Sequence, residues 1–392
     1  MKRIYFIPIL SALILTSVVV LSTKCSSVKS LEEAEVETKK LFRKGFKKEN
    51  VHNAFLSVYS PSLSIAWDFS GGEFRSGEKV TSENPFYTAS IGKTFTATAI
   101  AILVEAEKLQ FQDKIITYLP DTIMQNLHVM DGKDYSSEIT IAHLLQHTSG
   151  LPDYFEGKTI DGSPNVMELI FAEPERFWKS TETVVFTKNK MEPLFAPGTD
   201  YSYSDTEYIL LGLIVEKVSG MFLHDFFRKH FFETLKMNHT WMFKRSSSIE
   251  KTGQLSEFFV GDFEASTMTS LTADWAGGGL VSTGSDLINF QQALFTGKII
   301  SDDTFKKMQN WVHETRGMEY GFGLRKITLK KLFPTLSDLT LIGHSGSTGS
   351  FLFYCPELDV YLAGTLNQTE EVNNSVVLMV NVLATIKKQI DS

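Results

Sequence analysis

The sequence predicts an α+β fold: one antiparallel sheet built from both chain ends, flanked by helices, with an inserted and mainly helical lobe. Two adjacent strand-like segments, 53–60 and 62–70, are separated by Pro61. Four more occur near the end of the chain, at residues 320–327, 339–343, 350–354 and 360–366. The periodic apolar segments between these groups are mainly of helical length. We therefore expect both groups of strands to meet in one sheet beside a helical lobe.

Length and charge limit the functional classes. A chain of 392 residues can form one large domain or two with ample core. Its net charge of -8 argues against a nucleic-acid-binding protein, which would present a basic face. The chain has only two cysteines, Cys25 and Cys355, so it lacks a cysteine-rich metal cluster. We predict neither a metal nor an organic cofactor.

The first fifty residues predict export and a connecting segment. Lys2 and Arg3 precede a long apolar run, and residues 1–25 therefore read as a signal peptide or membrane anchor. Cys25 is a candidate for bacterial lipidation, although Lys24 stands where a small residue is expected. Lipidation, an uncleaved anchor and ordinary cleavage all remain open, and each places the protein body outside the cytoplasm. Residues 26–50 are expected to form a charged linker, solvated or resting on anionic lipid, before a folded domain over 51–392.

The helix that follows Ser90 holds the first candidate for chemistry. Residues 95–106 are apolar or small, which predicts a helix buried on all sides. Residues three apart share a helix face, so the Lys93 amine can lie beside the Ser90 hydroxyl. A lysine whose pKa is lowered by desolvation can remove the proton from a serine nucleophile. The alternative is a helix-capping serine followed by a solvated lysine.

Two further motifs are candidates. Tyr203 belongs to Tyr-Ser-Asp on a loop before a predicted helix, where its hydroxyl could donate or accept a proton. It could equally be an aromatic side chain packed on the start of that helix. His344 opens His-Ser-Gly-Ser-Thr-Gly at the end of an apolar strand, where small residues let a substrate approach the backbone. The alternative is a glycine-rich turn with an exposed histidine.

Three other motifs are incomplete. Tyr87 stands where a phosphate-binding loop ending at Gly92-Lys93-Thr94 needs glycine. Neither Thr88 to Gly92 nor Gly343 to Ser347 has both glycines of a nucleophile elbow. His143 and His147 have zinc-ligand spacing without the following glutamate, so a structural role is expected.

These elements, in this order, resemble the serine beta-lactamase and penicillin-binding-protein superfamily. The closer match is its class C-like branch, which includes D-alanyl-D-alanine carboxypeptidases, D-aminopeptidases and esterases. The resemblance extends from about residue 53 to the C-terminus. Its other landmarks are ITIAHLLQHTSGLPDY at 139–154, FAPGTDYSYSD at 195–205, AGGGLVSTGSDLINF at 276–290 and YGFGL at 320–324.

The resemblance implies a role for each matching residue. Ser90 is the implied nucleophile, Lys93 its proton partner, and Tyr203 the residue that shuttles protons to the leaving group. His344 opens the third catalytic motif. The backbone N–H groups of Ser90 and Ser347 form the implied oxyanion hole. Asp205, Ser345 and Gly346 fall at substrate-binding positions.

Two positions depart from the commonest pattern of this family. Asp205 replaces an asparagine, which exchanges an amide for a negative charge beside the site. His344 replaces a lysine, which is expected to make the charge of this motif depend on pH.

The resemblance predicts a serine hydrolase that acts through an acyl-enzyme on Ser90, with D-amino-acid-containing cell-wall peptides as substrates. A carboxylesterase of the same fold is the close alternative, and a beta-lactamase is a weaker one. A catalytically silent protein that binds or senses a cell-wall peptide belongs to another class. The expected partners are a small-molecule or peptide substrate, with peptidoglycan as one source, and the membrane through the N-terminal anchor.

Overall fold

The computed structural model describes residues 31–333 and 338–391, so the predicted leader and Cys25 lie outside the described residues. The strands, in chain order, are β1 (Asn53–Ser60), β2 (Ile65–Gly72), β3 (Phe86–Tyr87), β4 (Val129–Met130), β5 (Lys133–Asp134), β6 (Trp241–Met242), β7 (Phe259–Val260), β8 (Phe263–Glu264), β9 (Leu280–Ser282), β10 (Val312–Thr315), β11 (Met318–Tyr320), β12 (Arg325–Thr328), β13 (Thr340–Ser345), β14 (Phe351–Cys355) and β15 (Val360–Thr365). The helices are α1 (Leu31–Phe46), α2 (Gly92–Glu105), α3 (Asp121–Met124), α4 (Ile141–Leu145), α5 (Val166–Ala172), α6 (Ser180–Lys190), α7 (Asp205–Ser219), α8 (Leu223–Phe227), α9 (Trp275–Gly278), α10 (Gly284–Phe295), α11 (Asp302–Met308), α12 (Leu329–Leu332) and α13 (Val372–Ile390).

The main sheet joins the two ends of the chain, as predicted. Its eight strands run in the order β10-β11-β12-β13-β14-β15-β1-β2, and each neighbouring pair is antiparallel. The central contact pairs β1 with β15, with Phe55 opposite Thr365. The segment predicted as one strand at 320–327 forms two strands, because the chain turns at Gly323, where φ is +65°.

Both faces of the sheet are covered, and side chains alternate between them. In β1, Leu56 and Val58 join the apolar cluster formed with α1 and α13. Phe55, between them, points to the opposite cluster, where it stacks on Phe86 with ring centroids 5.5 Å apart. Period-two alternation therefore separates two cores, one on each side of the sheet.

The segment expected to be a linker contains a packed helix. Residues Ala34, Thr38 and Phe42 of α1 are buried against α13 and the sheet. Phe42 stacks on Phe69 of β2 with ring centroids 6.1 Å apart. These residues recur every four positions and so share one helix face, while the charged residues occupy the others. The folded body therefore includes residues before Val51.

The helical lobe lies between β2 and β10 in sequence, and α2 runs through its centre. Every residue from Gly92 to Ala101 is buried, but the predicted all-round burial does not reach Ala106, because Glu105 and Ala106 are exposed where the helix ends. Phe95 stacks on Phe290 of α10 with ring centroids 3.7 Å apart, and Thr96 donates a hydrogen bond of 2.7 Å to the Ala276 carbonyl. Helix α2 therefore links the sheet-covering α10 to the lobe. Among the described helices, none is long and apolar enough to cross a membrane.

Candidate active site

Ser90 lies in a tight turn that leads into α2. The turn is anchored to β9, because Thr88 donates from its amide and from its hydroxyl to the Leu280 carbonyl, each at 2.9 Å. Ala89 has φ of +47°, a left-handed conformation that side chains other than glycine seldom adopt. Such backbone strain is frequent at functional sites. The turn leaves the Ser90 side chain partly exposed at the start of a buried helix.

The Lys93 side chain is fully buried and contacts Ser90. Its Nζ lies 3.2 Å from Ser90 Oγ and 3.2 Å from the Gly277 carbonyl oxygen, and it forms an ion pair with Asp205. An ammonium group has three hydrogens, so these three acceptors satisfy it completely. The alternative of a solvated lysine is therefore excluded.

The charge of Lys93 differs from the sequence expectation. Burial alone lowers its pKa, as the apolar helix suggested, but the carboxylates of Asp205 and Asp274 outweigh burial and leave the pKa raised. Lys93 is thus an ammonium ion at neutral pH. The expectation of a lysine with lowered pKa is wrong, because the acidic neighbours come from distant parts of the chain.

Two more carboxyl groups lie near this ion pair. Burial and the charge of Asp205 raise the pKa of Asp274 to about 7, although Lys93 opposes the shift. Burial and Asp205 also raise the pKa of Asp153 to about 8. Asp153 Oδ1 accepts a hydrogen bond of 3.2 Å from the Asp205 amide. The predicted negative charge at Asp205 is therefore paired with Lys93, within a cluster of titratable carboxyls that the sequence analysis missed.

Tyr203 reaches the same serine from the loop before α7. Lys93 Nζ lies 4.9 Å from its ring centre, and the Ser90 side chain is one of its polar neighbours. Burial and the charge of Asp205 raise its pKa well above the usual value, so the side chain is a neutral phenol at rest. The Tyr203 ring therefore lies next to Ser90 and Lys93, and its role is not limited to packing on the start of α7.

The loop that carries Tyr203 is held by a buried neutral pair. Glu207 of α7 contacts His147 Nδ1, and the Ser204 amide donates to the same nitrogen at 3.2 Å. Burial raises the pKa of the Glu207 carboxyl and lowers the pKa of the His147 imidazole, so both side chains are neutral. His143 caps α4 through Thr140. Both histidines thus make structural contacts, and no group of three or more metal-binding side chains occurs among the described residues.

His344 lies on β13 and is buried, so the alternative of an exposed histidine is wrong. Its Nδ1 lies 2.8 Å from the Ser345 carbonyl, which can only accept, so Nδ1 carries the hydrogen. Nε2 then accepts from the Tyr320 hydroxyl at 2.9 Å. Burial, together with Arg325 and Lys93, lowers the pKa of His344 well below its usual value. This imidazole is neutral at physiological pH, and the expected pH-dependent charge does not occur there.

The loop after His344 packs directly on the turn before Ser90. Ser350 donates a hydrogen bond of 2.7 Å to the Thr88 carbonyl, and Thr348 donates one of 3.2 Å to the Tyr87 carbonyl. A Cβ atom at Gly346 would stand 2.6 Å from the Thr88 oxygen, so only glycine permits this approach. The Ser347 amide donates to no acceptor among the described residues. The two backbones that carry Ser90 and Ser347 are therefore neighbours.

A buried ion pair beside Ser345 was also missed. Arg325 of β12 makes two hydrogen bonds to Glu314 of β10, at 2.8 and 2.7 Å, and each side chain is only 4% exposed. Its third nitrogen lies 3.1 Å from Ser345 Oγ. Arg325 directly follows the YGFGL landmark, and Asp274 shortly precedes AGGGL. The positions of Arg325 and Asp274 next to these two motifs are the sequence signal that could have identified them.

Comparison with known proteins agrees with this arrangement. The family described as Beta-lactamase matches residues 42–383. Penicillin-binding protein 4* of Bacillus subtilis (strain 168) is 28% identical over 300 residues, which cover 72% of this chain and 61% of that protein. The chain thus spans less than two thirds of the length of the first curated relatives it matches.

Solved structures show the same fold. The D-amino acid amidase of Ochrobactrum anthropi SV3, complexed with L-phenylalanine amide, has a TM-score of 0.74 at 22% identity, covering 91% of this chain and 99% of its own. EstCE1, a hydrolase with promiscuous acyltransferase activity, has a TM-score of 0.71 at 17% identity, with the same coverage of each chain. The protein has the fold of the beta-lactamases and penicillin-binding proteins. It belongs to the beta-lactamase family, as the sequence resemblance predicted.

Proposed function

We propose that this protein hydrolyses D-amino-acid-containing cell-wall peptides through an acyl-enzyme on Ser90, in the manner of a carboxypeptidase. One observation carries the proposal: Ser90 Oγ lies 3.2 Å from Lys93 Nζ, and the Tyr203 ring centre lies 4.9 Å from the same amine. A serine placed between two proton-exchanging groups can lose its proton as it attacks and can receive one back during deacylation.

The reaction divides into two acyl transfers. Ser90 Oγ forms a bond to the substrate carbonyl carbon while its proton passes to the Lys93–Tyr203 pair. The bond to the leaving group then breaks, and the same pair supplies that group with a proton. Water repeats the sequence on the acyl-enzyme and releases Ser90. The amides of Ser90 and Ser347 would hold the developing oxyanion, and donors of this kind typically contribute about 10²- to 10³-fold in rate.

The leaving-group side of Ser90 supports a peptide substrate. Ser345, Gly346 and Ser347 offer hydroxyl and backbone groups beside the nucleophile. Arg325 donates to Ser345 Oγ at 3.1 Å, which orients that hydroxyl to donate in turn to a substrate carboxylate. The relatives also support this choice, since a penicillin-binding protein and a D-amino acid amidase are among them.

A carboxylesterase is the second candidate, and a specific observation favours it. Glu314 neutralises Arg325, Asp205 neutralises Lys93, and His344 is uncharged. Around Ser90, the described residues therefore supply no unbalanced cation for a substrate carboxylate. A neutral ester would need none, and EstCE1 shares this fold.

We also propose that the protein is exported and acts at the cell envelope, held by residues 1–25. The apolar run after Lys2 and Arg3 and the position of Cys25 support this. Cell fractionation of wild type and Cys25→Ala tests the anchor. Release of the variant from the membrane would support lipidation, and retention would support an uncleaved anchor.

The decisive experiment compares wild type, Ser90→Ala and Ser345→Ala. Each protein is exposed to a penicillin and its intact mass measured, and hydrolysis of a D-alanyl-D-alanine peptide and of a chromogenic ester is assayed in parallel. An adduct and peptide cleavage in wild type, both absent from Ser90→Ala, together with weaker peptide cleavage but retained ester cleavage in Ser345→Ala, would support the carboxypeptidase. Ester cleavage alone, lost in Ser90→Ala, would support the esterase. Equal rates in wild type and Ser90→Ala would overturn the Ser90 mechanism. Absence of any activity in wild type would support the catalytically silent binding protein.

A further inference from the structure

We propose that a pocket on the helical lobe is a second binding site, which takes a small organic carboxylate with a flat apolar body. Its lining includes three aromatic side chains and one arginine, which are Phe177, Phe222, Trp275 and Arg245. The pocket has a volume of about 350 Å³, within the range of roughly 300 to 1,000 Å³ that is typical of small-molecule sites. None of the candidate catalytic residues lines it. The inference therefore goes beyond the proposed function and does not rest on it.

The guanidinium of Arg245 is a partly buried charge of this pocket that lacks a counter-ion. Its Nη2 donates to the carbonyls of Trp178, at 2.8 Å, and Thr272, at 3.4 Å. Nε is buried without a partner, and no carboxylate forms an ion pair with this side chain among the described residues. Burial lowers the pKa of Arg245, but an arginine remains protonated at physiological pH. An anionic ligand would compensate this charge.

Three aromatic rings supply the apolar wall of the pocket. The Arg245 Cζ atom lies 4.8 Å from the ring centre of Phe177 and 5.7 Å from the ring centre of Trp275, within the distance of a cation–π contact. Phe222 is 66% exposed and Phe177 is 45% exposed, so two large apolar rings face water at one pocket. The Phe222 ring stacks on His224 with ring centroids 5.5 Å apart, which limits its motion. A flat ligand would remove part of both exposed rings from water.

The other charged groups of the lining favour an anion over a cation. Lys244 precedes Arg245 in the chain, and its exposed side chain has no ion-pair partner among the described residues. Glu216 is the acidic residue of the lining, and it accepts a hydrogen bond of 2.9 Å from the Leu223 amide at the start of α8. Burial raises the pKa of the Glu216 carboxyl, in the direction that removes its negative charge. Two cations and one carboxyl leave an excess of positive charge, which complements a carboxylate.

Trp275 connects this pocket to the active site. A Cβ atom added at Gly212 of α7 would lie 2.9 Å from Trp275 Cζ3, so the ring is in close contact with that helix and forms a fixed wall. Two residues beyond Trp275, the Gly277 carbonyl accepts a hydrogen bond of 3.2 Å from Lys93 Nζ. Helix α9 thus contributes one residue to the pocket and another to the active site, and the two sites are separate neighbours.

Phenylacetate is the probe, because it joins a carboxylate to a flat apolar ring. Isothermal titration of the 392-residue chain in detergent compares this probe with phenylacetamide, which lacks the charge, and with acetate, which lacks the ring. We expect phenylacetamide and acetate each to bind roughly 10-fold more weakly than phenylacetate, because each lacks one of the two interactions.

Three variants locate the bound probe. Lys244→Met and Phe222→Ala change exposed side chains, so the fold is expected to remain, and each should weaken phenylacetate binding roughly 5-fold. Arg245→Met should abolish detectable binding, and thermal unfolding checks its fold because Arg245 also bonds two carbonyls. Phe263→Ala is the matched control, because Phe263 is 46% exposed and does not line the pocket.

A carboxylate that bound beside Ser345 would give a different pattern, and Ser345→Ala separates the two sites. Affinity for phenylacetate that is unchanged in Ser345→Ala and Phe263→Ala but reduced in Lys244→Met and Phe222→Ala would support the inference. Loss of binding in Ser345→Ala, equal affinity in wild type and both exposed pocket variants, or no saturable binding to wild type would overturn it. These outcomes are independent of whether Ser90→Ala abolishes hydrolysis, so failure of the proposed function remains distinguishable.

Discussion

The Lys93 ammonium and the Asp205 carboxylate form an ion pair beneath Ser90, with side-chain exposures of 0% and 9%. The pair joins the start of α2 to the start of α7, residues 112 positions apart in the chain. Because water reaches neither group, each depends on the other for compensation of its charge. The nucleophile therefore lies above a contact that holds two helices together.

Removing the Asp205 carboxyl should destabilise the protein. Asp205→Ala leaves the Lys93 ammonium without its main partner, and we expect the free energy of unfolding to fall by about 3 kcal/mol. Asp205→Asn keeps a hydrogen-bond acceptor at the same place and should cost less. Urea unfolding of both variants measures the difference, and equal losses would show that the contact contributes through packing instead of charge.

Asp153 should make stability depend on pH. Its pKa is about 8 in the folded protein and near 4 when unfolded, so the folded state holds the extra proton between these values. The free energy of unfolding therefore falls as the pH rises through this window. Asp153→Asn removes the effect, and its stability relative to wild type should increase by roughly 4 kcal/mol between about pH 5 and pH 9. A constant difference across the range would contradict the raised pKa.

Glu314 should limit the acceptance of carboxylate-bearing substrates. Glu314→Gln leaves the Arg325 cation unbalanced beside Ser345, so kcat/KM for an acidic substrate should rise roughly 10-fold relative to its neutral analogue. Glu319→Gln is the matched control, because Glu319 pairs with Lys326 at 2.7 Å on the neighbouring strands. An unchanged ratio in Glu314→Gln would show that Arg325 does not act on the substrate.

Helix α1 should contribute to the stability of the folded body. Phe42 is 1% exposed, and we expect Phe42→Ala to lower the free energy of unfolding by about 3 to 4 kcal/mol through the cavity it leaves. Val36→Ala alters the exposed face of the same helix and should change stability by about 0.5 kcal/mol or less. Chemical denaturation compares the two. Equal losses of stability in Phe42→Ala and Val36→Ala would instead support the description of residues 26–50 as a linker.

Much of the fold was predictable from local pattern. The strand-like segment of β1 and the apolar run of α2 each reflect a short stretch of chain, so both were evident before any contact was known. Motifs with short internal spacing brought Ser90, Lys93, Tyr203 and His344 to attention. The packing of α1 was missed because most of its residues are charged or polar and only three of them form the buried face.

The sequence by itself determined the family, the sheet built from both ends of the chain and the motif residues Ser90, Lys93, Tyr203 and His344. Only the tertiary structure decided their charges. Lys93 is an ammonium ion because the charges of Asp205 and Asp274 outweigh its burial, and His344 is neutral because it is buried and lies near the charge of Arg325. A pKa depends on burial and on every charge nearby in space, and most of those charges come from remote parts of the chain.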